Sequence, residues 1–249
     1  MFYSQFGEDK ILFEIFRGKT NGFCVEVGAN NGIDDSTSLF FEQIGWKCIL
    51  VEPNPFLCQN IRTVRHALLY EYAASNKSDT IALHMVEGAP RSHGMSTIST
   101  NVEVHDRIKS HGFASVSVQV RTMTLNQILN DAHVDAEIDF ISIDVEGHEH
   151  EVLEGLSIEK WRPTILLVED NSNFVDDSVC AYLRHYDYVR FKRTGVNDWY
   201  AHKTNKQLVN IRSKIGVMRS SVNNRIKNRL RKIPLLMKIN DILKTLGVK

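Results

Sequence analysis

Apolar residues recur along this chain with two periods, and the alternation between those periods predicts its architecture. Over residues 5–16 a stripe of Phe6, Ile11, Leu12, Ile15 and Phe16 predicts a helix behind a Ser4 cap. Short apolar runs then alternate with helical segments: strand Phe23–Val27, helix 36–44, strand Lys47–Val51, and helix Pro55–Val64 opened by Asn54 and Pro55. Strands are expected again at 68–73 and 80–86. A polar stretch over 87–115 interrupts the alternation. It resumes with strand 116–121, helix Leu125–Asp131 opened by Thr124, strand 138–143, helix 149–156, strand 164–168 and helix 175–186. Strands separated by helices imply a parallel sheet with crossovers. Residues 188–192 and 198–202, joined across Thr194 and Gly195, read as an antiparallel hairpin on that sheet. A last pattern begins after residue 203, where Ile211, Ile215, Met218, Val222, Ile226, Leu230 and Ile233 step by three or four between basic residues. That is an amphipathic helix, broken at Pro234.

With 249 residues, 43% of them hydrophobic and 24% charged, the chain suits one globular domain with an appendage. No run approaches the roughly 18 to 20 apolar residues that span a bilayer, and residues 1–22 lack the regions of a signal peptide. The expectation is a cytoplasmic protein. Cys24, Cys48, Cys58 and Cys180 are widely spaced with no C-x-x-C pair, so they read as buried reduced thiols, not as disulfides or a zinc site.

A formal net charge of zero conceals two unlike parts. Residues 203–249 carry 13 Lys or Arg against one acid, Asp241, leaving 17 bases and 29 acids to residues 1–202. The domain is therefore placed at 1–202 and a basic helical tail at 203–249. Such a tail, over 206–249, could attach peripherally to an anionic inner membrane surface, dock on a partner enzyme, or fold back on the acidic body. No aromatic residues interleave its bases, which argues against nucleic acid.

The chemistry gathers at strand ends, where an open parallel sheet binds its ligand. The first strand runs into Glu26-Val27-Gly28-Ala29-Asn30-Asn31-Gly32, and the second ends on Glu52. A carboxylate at that spacing can accept hydrogen bonds from both ribose hydroxyls of a nucleotide. A pyrophosphate needs a third glycine and a helix amino terminus, whereas this loop has neither that glycine nor neutral residues at its expected helix start, Asp34 and Asp35. A dinucleotide oxidoreductase is disfavoured on that ground, and the cationic end of S-adenosylmethionine (SAM) suits Glu26. The second constellation is Asp144-Val145-Glu146-Gly147-His148-Glu149 after the strand at 138–143. Carboxylates clustered at a crevice must be solvated, paired or bound to something. Glu151 is read as serving the helix amino end.

These residues resemble the FkbM family of SAM-dependent methyltransferases. The likeness rests on Ser4-Gln5-x-Gly7-Glu8-Asp9, on VEVGANNG with Ser36, on Val51-Glu52-Pro53-Asn54-Pro55, on Thr124-Leu125, and on IDFISIDVEGHEHEVLEGL from Ile138 to Leu156. It implies an α/β, Rossmann-like class I methyltransferase with a mostly parallel seven-stranded sheet. It further implies O-methylation, in many members of a sugar hydroxyl on a glycan, glycolipid or glycosylated metabolite. Carried over, Glu26, Gly28, Asn30 and Gly32 would serve the methionine part and Glu52 the ribose, with Ser36 also among the cofactor-binding residues. Ala73 and Ala74 would lie near adenine, with Asp144, Glu146 and Glu149 at the methyl-transfer face. Asp144 is expected to be the base that takes the hydroxyl proton, with His148 second. Glu146 would bond the acceptor or, with Asp144, hold a divalent cation such as Mg²⁺. By its own length and composition the polar stretch, with His93, Gly94, Ser96, Thr97, His105 and His111, reads either as a lid over the acceptor or as a solvated surface loop. The competing readings are a non-catalytic scaffold on the same fold and a methyltransferase for a non-sugar acceptor.

Overall fold

The computed structural model describes residues 1–87, 96, 98, 114–172, 174–211, 213, 215–218 and 221. Its elements run α1 (Glu8–Ile15), β1 (Phe23–Val27), α2 (Leu39–Gln43), β2 (Lys47–Val51), α3 (Pro55–Val64), β3 (Leu68–Tyr70), β4 (Ala73–Ala74) and β5 (Thr80–Glu87). After them come β6 (Ala114–Met123), α4 (Leu125–Asp131), β7 (Phe140–Ile143), α5 (Glu149–Glu154), α6 (Ile158–Trp161), β8 (Ile165–Glu169), α7 (Ser178–His185), β9 (Tyr188–Thr194) and β10 (Asn197–His202).

Seven strands form one sheet in the order β3-β2-β1-β7-β8-β10-β9. Its first five are parallel, and β10 pairs antiparallel with both β8 and β9, which is the expected C-terminal hairpin. Both faces of the sheet are covered, as parallel strands require. Val25, Ile49, Ile141 and Leu166 pack one way, under Leu129 and Val152, while Cys24, Phe140, Leu167 and Trp199 pack the other way, under Leu12 and Phe41.

Three expectations shift. The strand expected over 68–73 divides, with β3 in the large sheet and β4 in a separate one of order β4-β6-β5. Consequently β5 and β6 form an antiparallel ribbon beside the main sheet, registered from Thr80 opposite Arg121 to Glu87 opposite Ala114. The helix expected over 36–44 begins only at Leu39, because Ser36, Thr37 and Ser38 turn inward to a buried carboxylate. Asp34 and Asp35 are therefore loop residues, not the first turn of a helix. Ahead of α1 the cap position belongs to Gly7 in the left-handed region (φ 80°). Ser4 still closes that turn, its Oγ accepting the Asp9 N–H at 3.1 Å.

Most of the basic tail, including Val222 to Ile233 and the residues after Pro234, lies outside the described residues, as does most of the lid expected over 87–115. Within the described part, Ile211, Ile215 and Met218 are exposed. No described helix is long and apolar enough to cross a membrane.

Candidate active site

The strand order reverses between β1 and β7, and at their carboxyl ends the two backbones nearly touch. A Cβ on Gly28 would lie 1.7 Å from the Asp144 carbonyl oxygen, and Gly28 has φ 84°. Only glycine allows this approach. The close neighbour is thus the opposing strand end, where the sequence suggested a ligand.

The loop after Gly28 is built around Glu26. Its carboxylate accepts from Ser36 Oγ (2.8 Å), Ser38 Oγ (2.5 Å) and the Thr37 N–H (2.7 Å). Arg65, at the end of α3, completes the arrangement from below. Its guanidinium donates to the Gly32 carbonyl (2.8 Å), Ser36 Oγ (3.2 Å), Ser38 Oγ (2.8 Å) and Glu42 Oε2 (2.7 Å), and lies 3.9 Å from Glu26. Gly32 packs closely against this residue: a Cβ there would lie 3.1 Å from both Arg65 Cγ and Ile61 Cγ1, tighter than ordinary contact. Glu26 therefore organises the loop, and its oxygens are occupied by the loop's own donors.

Glu52, at the end of β2, accepts the N–H groups of Asn30 and Asn54, each at 2.9 Å and each on a different oxygen. Burial pushes its carboxyl up to about 7, against the opposing effect of those two amides. A carboxylate held this way keeps a further lone pair on each oxygen for a ligand's hydroxyls. Glu52 faces a slot of about 60 Å³ whose apolar wall is Tyr72, Ala73, Ala74 and Leu83, closed by Ser96 and Ile98. A second cavity, of about 430 Å³, opens on the other side of Gly28. Gly28, Asn30, Asp144 and Glu146 line both.

Where the two cavities meet, the carboxylates of Asp144, Glu146 and Glu169 lie within 4.8 Å of one another. Glu169 ends β8 and was not singled out in the sequence, although the strand-end rule that selected Glu26, Glu52 and Asp144 applies to it equally. The trio supplies three oxygens where the sequence offered the Asp144 and Glu146 pair. Glu146 is held in the left-handed region (φ 57°), with Gly147 following at φ 97°. Glu149 fixes this turn from beneath. Its Oε1 accepts the N–H groups of Gly147 (2.9 Å) and Val145 (3.3 Å).

Burial pushes the Glu149 carboxyl up to about 7, with the charge of Asp144 adding to it and the amides of Gly147 and Val145 opposing it. The folded state thus binds this proton more tightly than the unfolded chain, so the stability it contributes is full below about 4.5 and is lost as pH rises through about 7. For Glu149→Gln, which keeps the accepting oxygen, the fall in thermal stability between pH 5 and 8 should shrink by up to about 3 kcal/mol. Unfolding profiles that remain parallel to wild type across this range would contradict that.

Of the residues named from sequence, Gly28, Asn30, Glu52, Ala73, Ala74, Asp144 and Glu146 come together around the slot. Glu26 reaches the larger cavity. Gly32 and Ser36 line neither, being turned toward Arg65. His148 does not join the cluster either: its Nε2 meets Ser75 Oγ at 3.0 Å and its Nδ1 faces Glu151 at 3.5 Å. Burial draws its pKa below the usual histidine value, against Glu151 and Glu154. It ties α5 to the end of β4 and lines neither cavity. Arg65 was unforeseen, since a lone Arg at a helix end has no sequence signal that separates it from a solvated cation.

The sequence matches the model of the methyltransferase FkbM domain over residues 26–190. No curated protein matches it. Similar solved structures include TrmK of M. capricolum in complex with the natural cofactor product S-adenosyl-homocysteine, with TM-score 0.41, 11% identity, and 96% of this chain and 93% of that one covered. A fibrillarin/Nop5p complex gives TM-score 0.41 at 10% identity, covering 80% of each chain. The precorrin-6y C5,15-methyltransferase from Geobacter metallireducens GS-15 gives 0.37 at 11%, covering 77% of this chain and 84% of that one.

Proposed function

The chain belongs to the methyltransferase FkbM domain family, and from this we propose that it moves the methyl group of SAM to an alcohol oxygen, in the first instance a sugar hydroxyl. The observation that carries the reading is the meeting of an apolar-walled slot beside Glu52 and a larger polar cavity at Gly28, Asp144 and Glu146.

The residues present fit the donor. Glu52 offers a buried carboxylate, already oriented by two amides, for the ribose hydroxyls, and Ala73 and Ala74 offer an apolar wall for adenine. The slot is smaller than the several hundred Å³ of a typical ligand pocket, so it must widen to admit a nucleoside. SAM supplies an electrophilic methyl on a sulfonium. The protein's part is to align that methyl with the acceptor and to receive a proton. Alignment can be worth about 7 to 11 kcal/mol, and a positioned base about 10² to 10⁴ in rate. Asp144 is the base in this reading: it and Glu146 line both cavities where Glu169 lines only the larger of the two, and of that pair Asp144 is the one that directly follows β7.

Titration calorimetry with SAM, S-adenosylhomocysteine and NAD tests the donor. The two sulfur nucleosides should bind and NAD should not. Glu52→Gln, which places an amide nitrogen against the Asn30 or Asn54 N–H, should weaken SAM by about 10- to 100-fold. NAD binding, or SAM affinity unchanged in that variant, would overturn the assignment. A scaffold without activity predicts no 14-dalton gain on any hydroxyl acceptor in the presence of SAM.

A further inference from the structure

The basic tail begins as part of the body. Val209 is buried in the apolar cluster that contains Leu12 and Trp199, and Leu208 packs against the same cluster. That platform is itself tied down. Glu8, at the start of the helix that carries Leu12, accepts from Thr194 Oγ1 (2.7 Å) and Asn197 Nδ2 (3.0 Å) at the turn between β9 and β10. β10 runs antiparallel to β8, with Asn197 beside Glu169 and Tyr200 beside Leu166, so the chain leaves it at the end of the sheet away from the crevice.

Directly after Val209 the tail starts a helix. Asn210 Oδ1 accepts the Ser213 N–H and Ser213 Oγ accepts the Asn210 N–H, each at 3.0 Å. These reciprocal bonds form a capping box, which fixes the helix start at Ile211. Residues 211, 213, 215–218 and 221 are helical. Ile211, Ile215 and Met218 are spaced by four and by three, which sets them on one face of that helix. The body does not cover this face: the three residues are 77%, 39% and 61% exposed. In the sequence the same stepping continues through Val222, Ile226, Leu230 and Ile233.

Of the three occupants that the sequence left open for such a face, two are disfavoured. A tail folded back on the acidic body would bury Ile211, Ile215 and Met218, which are exposed. Protein partners are gripped chiefly through aromatic and Arg anchors seated in shaped pockets, and residues 203–249 contain no aromatic residue. A lipid surface needs no shaped pocket. It takes aliphatic area on one side of a helix and cations around it, and residues 203–249 carry 13 Lys or Arg against one acid. We infer that the tail docks on an anionic lipid surface, with Ile211, Ile215 and Met218 entering its apolar boundary and the bases meeting its headgroups. The inference does not depend on the methyl-transfer reading, since none of the three residues lines the slot or the larger cavity.

Full-length protein is sedimented with vesicles of phosphatidylcholine alone and of phosphatidylcholine mixed with phosphatidylglycerol. It should bind the mixed vesicles at least about tenfold more tightly than the neutral ones. That binding should weaken as salt rises from about 0.1 M to about 1 M and the screening length falls from about 10 Å to about 3 Å. The triple variant Ile211→Ser, Ile215→Ser, Met218→Ser keeps every base and should bind at least about tenfold more weakly than wild type. Its melting temperature should stay within about 2 °C of wild type, because the residues changed are exposed. A larger fall would show the face packed on the body and overturn the inference. Equal binding to the two vesicles, or binding unmoved by the triple substitution, would overturn it as well. So would a chain that binds neither vesicle, and if that chain self-associates on size exclusion where the triple variant does not, the face belongs to a second copy.

Discussion

Replacing Asp144 with Asn should lower kcat for methyl transfer by about 10² to 10⁴ while leaving SAM affinity within about tenfold of wild type. The substitution preserves the shape of a residue whose N–H is fixed to the Val27 carbonyl at 3.0 Å and whose own carbonyl abuts Gly28, so the switch between β1 and β7 stays intact. What it removes is the ability to accept a proton at a strand end that lines both cavities. The separation of kcat from cofactor affinity is the telling quantity. Calorimetry gives SAM affinity and single-turnover kinetics gives the chemical step. Near-normal turnover at full SAM affinity would remove Asp144 from proton transfer and move attention to Glu146 and Glu169, its neighbours in the carboxylate trio.

The second large effect concerns a residue that touches no cavity. Arg65→Met should destabilise the fold by about 3 to 5 kcal/mol, or roughly 10 °C in melting temperature for a chain of this size. Methionine keeps the length and the apolar stem but leaves Glu26 and Glu42 without their shared cation, and takes a donor from Ser36, Ser38 and the Gly32 carbonyl. A buried carboxylate abandoned in this way carries its full desolvation cost. Arg65→Lys should recover only part of the loss, because a point charge cannot reach four acceptors at once. Differential scanning calorimetry decides the matter, and a melting temperature within about 2 °C of wild type in Arg65→Met would show that the network contributes little.

Why Arg65 escaped notice, while Glu52 did not, illustrates where the sequence is legible. Glu52 follows an unbroken apolar run and lies at a fixed distance from a glycine loop, so both its strand and its place at the strand end are local facts. The same holds for Gly28 and Asp144. Arg65 acquires its meaning only when α3 packs beneath a loop some thirty residues earlier. Periodicity also misjudged residues 36–38. Their composition suits a helix start, but three donors turned toward Glu26 cannot also extend the helix. The ribbon of β5 and β6 was legible as two strands and not as a separate sheet, because alternation reports that a strand is half-buried without saying which sheet it joins. Family likeness pointed to Glu149 at the methyl-transfer face. The structure makes it the support of the turn that carries Glu146.

The contacts of Glu8 with Thr194 and Asn197 span 186 and 189 positions of the chain. They join the start of α1 to the turn between β9 and β10. Contacts of such separation carry a large loop-closure cost and form slowly. The Glu52 side of the crevice, assembled from neighbouring segments, has no such wait. Because β1, β2 and β7 precede the turn that carries Thr194 and Asn197, the larger cavity, which Glu8 and Asn197 line, can be completed only after the strands that wall the slot have been made.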